Sequence, residues 1–245
     1  MTKILAHRGD SKVAPENTIA AFKSAISKGV DGVEFDVQLT KDGVPIVFHD
    51  EKLKRCTNVR GYLKDYTYSQ LKNLDCGGWF DDRFANTKIP TLKEVLELFW
   101  QKKFILNVEL KNGYVNYPGI EEKVLELIQS YDLMDNVIIS SFNHQSIIRV
   151  KKLCSNIKTG LLYRAKIYKP WEYAKRVTNS DAVHPNYFSI TKKEIAESQK
   201  NNVDVNVFTV DKEKDIKQFI RWNVDILITN YPELAMKIRK ELSKM

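Results

Sequence analysis

Residues 3–37 read KILAHRGDSKVAPENTIAAFKSAISKGVDGVEFDV. Lys3–Ala6 is a short apolar run of the strand type. Asn17–Lys28 then places Ile19, Phe22, Ala25 and Ile26 on one face of a 3.6-residue period and stops at Gly29, the usual helix terminator. Val33–Val37 is again a β-branched run. Strand, helix and strand in so short a span form a βαβ unit with parallel strands.

The same alternation continues down the chain. Strand-type runs recur at Phe104–Val108, Val137–Ser140, Thr159–Leu162, Ala182–Val183, Val205–Val210 and Ile226–Ile228. Helical periodicity lies between and after them, at Thr91–Trp100, Ile120–Ser130, Gln145–Leu153, Lys169–Arg176, Thr191–Lys200, Lys212–Trp222 and Pro232–Leu242. Eight such units in 245 residues match the size of a (β/α)8 TIM barrel, about 250 residues. The main alternative, a doubly wound open sheet, commonly opens on a GxGxxG turn. Here the first strand runs into His7-Arg8-Gly9-Asp10 instead. One interval breaks the rhythm. An extra run, Val44–Phe48, follows the turn pair Asp42-Gly43, and the next strand waits until Phe104. A single helix does not fill that gap. Residues 51–103 are therefore expected to contain a small insertion after the second strand, centred on Glu51–Pro90, within one barrel domain spanning residues 1–245.

Composition narrows the class. With 43% hydrophobic and 29% charged residues, the chain is an ordinary globular protein and not a disordered or low-complexity one. Three cysteines without CxxC spacing argue against a disulfide framework or a cysteine zinc site and suit a reducing compartment. The first residues lack a secretory apolar core, and no run approaches the roughly 18 residues of a membrane span. A cytoplasmic protein without stable membrane insertion is expected. The net charge of +8 invites a nucleic-acid reading. Its basic residues are scattered among acids, as in Lys192-Lys193-Glu194 and Asp211-Lys212-Glu213-Lys214, the pattern of solvated helix faces. No nucleic-acid partner is expected, only a bias toward anionic ligands.

Barrel chemistry sits at the C-terminal ends of the strands. The first strand ends in His7-Arg8, the second carries Glu34 and Asp36, the extra run ends in His49-Asp50, and the third main strand ends in Glu109 with Lys111 beyond it. Glu34 and Asp36 share one face of their strand, opposite Val33, Phe35 and Val37. Carboxylates inside an apolar strand are costly unless paired or bound to a cation. With Glu109 they make an oxygen-rich site suited to Mg²⁺ or Ca²⁺. The competing reading is a buried salt-bridge cluster with Arg8 and Lys111. His7 and His49 titrate in the range needed for acid–base work, and Arg8 and Lys111 can grip an anion. His144 and His184 are expected outside the chemistry, with His184 a lesser candidate for the pocket wall. There is no nucleophile elbow and no P-loop.

These residues lie in segments that resemble the glycerophosphodiester phosphodiesterase family: Ala6-His7-Arg8-Gly9, Pro15-Glu16-Asn17-Thr18, Gly32-Val33-Glu34-Phe35-Asp36-Val37, the run from Thr40 to Asp50, and Asn107-Val108-Glu109-Leu110-Lys111. Ile89–Leu96, Ser140-Ser141-Phe142-Asn143 and Asp225–Pro232 extend the resemblance over nearly the whole chain. It implies a TIM barrel with an insertion after the second strand. It further implies His7 and His49 as paired acid and base, Glu34, Asp36 and Glu109 as divalent-metal ligands, and Arg8 and Lys111 as phosphate binders. The implied reaction is metal-dependent hydrolysis of glycerophosphodiesters to sn-glycerol 3-phosphate and an alcohol, with the substrate's own glycerol hydroxyl as first nucleophile. Phe208 stands where tryptophan is common in the family. A small-molecule substrate and a monomer or homodimer are expected. The rival readings are a barrel phospholipase acting on membrane lipids and a non-catalytic module for phosphorylated ligands.

Overall fold

Leu5 pairs with Gly32 on one side and with Ile228 on the other, and that double pairing closes the sheet in the computed structural model, which describes residues 1–244. In chain order the elements are β1 (Lys3–His7), α1 (Ile19–Ser27), β2 (Gly32–Leu39), β3 (Pro45–Val47), α2 (Tyr68–Leu71), α3 (Leu92–Phe99), β4 (Ile105–Leu110), α4 (Ile120–Ser130) and β5 (Val137–Ser141). They continue with α5 (His144–Leu153), β6 (Lys158–Tyr163), α6 (Pro170–Tyr173), β7 (Ala182–Pro185), α7 (Lys192–Lys200), β8 (Asp204–Val207), α8 (Glu213–Arg221), β9 (Ile226–Thr229) and α9 (Pro232–Leu242). The order β1-β9-β8-β7-β6-β5-β4-β2, closed by β1 on β2, is an eight-stranded parallel barrel. Closure excludes the open doubly wound sheet. β3 lies outside the ring, antiparallel on β2 with Val37 opposite Val47.

The alternation of side chains sorts the barrel into an outer and an inner core. Ile4, Ala6, Val33, Phe35, Leu106 and Val108 point outward into the main core under the helices. Leu5, Ile138, Ile226 and Ile228 point inward and plug the floor. Above them the interior turns polar. Asn107 donates to Ser140 Oγ at 3.1 Å, and Asn206 donates to His184 Nε2 at 2.8 Å. Gly160 faces this layer because a Cβ there would meet the His184 ring 2.1 Å away.

His184 is fully buried, and burial pushes its pKa from 6.5 down to about 3. Between those values the unfolded chain binds a proton that the folded chain refuses, so stability falls as the pH falls. By about pH 5 this residue alone should cost about 2 kcal/mol. Urea melts at about pH 7.5 and about pH 5 should therefore show a shallower decline in His184→Gln than in the wild type. Parallel declines would mean that the buried ring does not govern acid stability.

One expected helix takes a different form. Lys169–Arg176 resolves into the short α6 followed by a π-helical turn, Ala174–Thr178. Thr178 Oγ1 donates to the Ala174 carbonyl at 3.0 Å, and Asn179 ends the turn at φ 52°. A wide turn of this kind is invisible to a 3.6-residue pattern.

Between β3 and α3 the chain forms short 3₁₀ turns at Leu53–Arg55, Leu63–Asp65 and Asp82–Phe84, together with α2. Phe48, Leu53, Cys56, Leu63, Leu71 and Cys76 give this segment a small core of its own. Thr91 closes it by capping α3 in a capping box with Glu94, and α3 packs into the main barrel core. Cys56, Cys76 and Cys154 are all free and buried. Among the described residues, no helix is long and apolar enough to cross a membrane.

Candidate active site

The register of β2 against β4 puts Asp36 beside Glu109, and Glu34 lies one inward position below Asp36. Each of the three acids offers an oxygen within 4.8 Å of the others. That span is about twice a Ca²⁺–oxygen bond of about 2.3–2.6 Å, so three hard donors can surround one ion. Asp36 Oδ2 lies 3.3 Å from Arg8 Nε and accepts from Asn17 Nδ2 at 2.8 Å. Lys111 Nζ donates to Glu109 at 3.0 Å and lies 3.7 Å from Asp36. Among the described residues Glu34 has no lysine or arginine side chain paired with it; it accepts the Arg8 backbone N–H at 3.1 Å, and His7 Nε2 lies 3.8 Å away.

The salt-bridge reading thus accounts for part of the cluster and leaves Glu34 over. Burial, and then the charges of Asp36 and Glu109, push Glu34 well above the usual carboxylate range. Burial also raises Asp36, but Arg8, His49 and Lys111 together hold it below its ordinary value. Glu109 is raised by burial, against the opposing pull of Lys111. Ionising all three carboxylates would set three negative charges against two cations, and a divalent ion held between them would supply the charge that favours the ionised form of Glu34.

His7 ends β1 and is held by Asn230 at the end of β9, which is itself held by Asp211 beyond β8. The Asp211 carboxylate can only accept, and it takes the backbone N–H of Asn230 at 2.9 Å and its Nδ2 at 2.8 Å. The Asn230 carboxamide is thereby turned so that its Oδ1 faces His7 Nδ1, 2.8 Å away. His7 therefore carries its proton on Nδ1, leaving a lone pair on Nε2. Burial, helped by Arg8, lowers its pKa from 6.5 to about 4, so it is neutral at physiological pH. His49 is fixed by the same logic, its Nδ1 donating to Asp50 Oδ1 at 2.5 Å. Arg8 sits in the left-handed region at φ 59°, and Gly9 follows at φ 78°, where a Cβ would meet Ala21 at 2.8 Å. The strained turn aims the Arg8 side chain back over the acids.

All seven residues that the sequence pattern marks converge on this rim, while His144 and His184 do not. His144 opens α5 and bonds the Leu162 carbonyl at 3.0 Å. His184 lies in the buried layer beneath the rim and not in the pocket wall. Asn230, Asp211, Asn17 and Arg55 join the site without being marked by that pattern, although Asn230 obeys the same strand-end rule that gives His7. A cavity of about 240 Å³ opens beside Glu109 and Lys111, walled by Glu51, Tyr114, Phe142 and Arg164. Another of about 380 Å³ opens beside His7 and Arg8, walled by Arg55, Trp79 and Phe80. Phe208 packs edge-on against Phe142, which walls the first cavity, with the ring centres 5.9 Å apart.

The pattern of the glycerophosphoryl diester phosphodiesterase family matches residues 7–234. A glycerophosphodiester phosphodiesterase of Caldanaerobacter subterraneus is 47% identical over 237 residues, covering 97% of both chains. One from Bacillus altitudinis is 44% identical over 245 residues, covering 99% of this chain and all of the other (100%). A phosphodiesterase of Oleispira antarctica, solved in complex with the product sn-glycerol-3-phosphate, superposes with a TM-score of 0.89 at 28% identity, covering 98% of this chain and 97% of its own. By fold, sequence pattern and relatives alike, the chain belongs to the glycerophosphoryl diester phosphodiesterase family and is a phosphoric diester hydrolase.

Proposed function

We propose that the enzyme hydrolyses small glycerophosphodiesters, such as glycerophosphocholine or glycerophosphoethanolamine, to sn-glycerol 3-phosphate and a free alcohol. The observation that carries this reading is the pairing of two tautomer-fixed histidines with a buried carboxylate cluster short of one cation. In this reading Glu34, Asp36 and Glu109 hold a divalent ion, Mg²⁺ or Ca²⁺, which when bound neutralises charge building on the phosphoryl oxygens. Arg8 and Lys111 grip the phosphate from two sides of the cluster. His7, neutral with a free Nε2, takes the proton from the glycerol hydroxyl beside the phosphate. That oxygen attacks phosphorus, a cyclic glycerol phosphate forms, and the P–O bond to the alcohol breaks as the alcohol takes a proton from Nε2 of His49, which serves here as the imidazolium with its Nδ1–H on Asp50. Water then opens the ring with the two histidines exchanging roles. No side-chain nucleophile is needed, because the attacking group arrives on the substrate.

The test is release of sn-glycerol 3-phosphate from glycerophosphocholine, followed with and without EDTA. EDTA should abolish release, and Mg²⁺ or Ca²⁺ should restore it, because the donors are all hard oxygens. Full activity in rigorously metal-free enzyme would remove the metal from the mechanism. The folded state should survive Glu34→Ala, since among the described residues Glu34 makes no side-chain ion pair with lysine or arginine.

A further inference from the structure

The insertion brings one side chain into the site that none of the assigned roles uses. Arg55 lies at the end of the 3₁₀ turn Leu53–Arg55, anchored by the buried Leu53. Its guanidinium spans two carboxylates from different parts of the chain. Nε donates to Asp50 Oδ2 at 2.5 Å and Nη2 to Asp50 Oδ1 at 3.0 Å. On the other side, Nη1 donates to Glu16 Oε2 at 3.0 Å and Nη2 to Glu16 Oε1 at 2.6 Å. Each carboxylate has a second engagement. Asp50 Oδ1 also accepts from His49 Nδ1 at 2.5 Å, and Glu16 Oε1 also accepts from Arg8 Nη1 at 2.9 Å. A continuous chain thus runs His49–Asp50–Arg55–Glu16–Arg8, and Arg8 reaches Asp36. The face of Trp79, itself in the insertion, lies 5.8 Å from the Arg55 guanidinium carbon.

We infer that Arg55 is a positioning residue for catalysis: one guanidinium sets the orientation of His49 through Asp50 and of Arg8 through Glu16. This rests on the reading that His49 and Arg8 act on the phosphodiester. Planarity is what the task requires. Four N–H vectors in a rigid fork meet two carboxylates held apart, whereas a lysine ammonium offers a point charge without a fixed fork. The Arg55 side chain is 42% exposed, so its ion pairs add little to global stability. Their effect falls on geometry, where a displacement of about 1 Å can cost about 10²-fold in rate. The insertion is thereby a part of the active site, joining the proton carrier at the end of β3 to the phosphate grip at the end of β1.

The experiment measures kcat, KM and melting temperature for Arg55→Gln, Arg55→Lys, Asp50→Asn, the double variant Asp50→Asn/Arg55→Gln and His49→Ala. Arg55→Gln should lower kcat by about 10–100-fold with the melting temperature within about 3 °C of wild type. Arg55→Lys should recover only a minor part of that loss. If both residues act along one route, the double variant should be no worse than its more damaged parent by more than about threefold. A wild-type kcat in Arg55→Gln, or losses that multiply in the double variant, would overturn the inference. Should Arg55→Gln fail to fold, Arg55→Lys keeps the charge and the stem, and a wild-type kcat there overturns it equally. His49→Ala separates the two levels of the argument. Full activity in that variant refutes the catalytic reading itself. An inactive His49→Ala beside fully active Arg55 variants refutes only the positioning role.

Discussion

A glycerophosphodiester analogue lacking the hydroxyl vicinal to the phosphoester should be turned over slower by at least about three powers of ten, even where it binds normally. The expectation follows from the inventory of the rim. The rings of His7 and His49, the proposed proton carriers, are held by Asn230 and Asp50, and no serine, cysteine or threonine side chain is hydrogen-bonded to either ring among the described residues. A nucleophile delivered by the substrate enjoys an effective molarity of about 10⁵–10⁸ M, and removing it forfeits that advantage. Direct attack by water would give the same products from the natural diester, so product analysis alone does not separate the routes. Comparing kcat for the natural and deoxy diesters does. Equal rates would rule out internal attack.

The second large effect concerns the histidines themselves. His7→Ala and His49→Ala should each lower kcat by about 10²–10⁴, the usual worth of a positioned acid or base. KM should change far less, because the proposed mechanism gives the phosphate grip to Arg8 and Lys111. A loss confined to KM would show that the rings only bind. Truncating both rings should cost much less than the product of the single losses, since one proton relay needs both members. His144→Ala is the control. Its ring bonds the Leu162 carbonyl and the Tyr173 hydroxyl, away from the acids, and its loss should leave kcat nearly unchanged.

How much of this is legible in the chain depends on the range over which each residue's role is decided. Strand parity is local, so the spacing of Glu34 and Asp36 is enough to place both on one face. The strand-end rule is nearly as local, and it gives His7, Arg8, Glu109 and Lys111. Asn230 satisfies the same rule but carries no signal of its own, because an asparagine at a strand end is common. Its role depends on Asp211 turning the carboxamide, nineteen positions away in the chain. The insertion is legible only as an interruption. Its periodicity is weak because short 3₁₀ turns around a small core replace helices with a repeating face. Arg55 therefore reads as one basic residue among many, and only its approach to Glu16, thirty-nine positions distant, gives it meaning. The π turn after α6 is hidden for a related reason, since the shift from 3.6 residues per turn lasts for one turn only.

The three buried thiols have a consequence for how long such an enzyme stays intact. A sulfur is attacked by peroxides and alkylating agents chiefly as its thiolate, and only when reagents can reach it. Burial pushes Cys56 up to about 12 and also raises Cys76, while Cys154 is buried where it ends α5. Peroxides and alkylating agents therefore find no reactive thiolate at Cys56 or Cys76 in the folded chain, although Cys56 follows Arg55 directly in the sequence. The insertion that completes the site also keeps its sulfur chemistry silent. Damage to these positions becomes a record of opening: at Cys56 and Cys76 of the insertion, at Cys154 of the barrel wall.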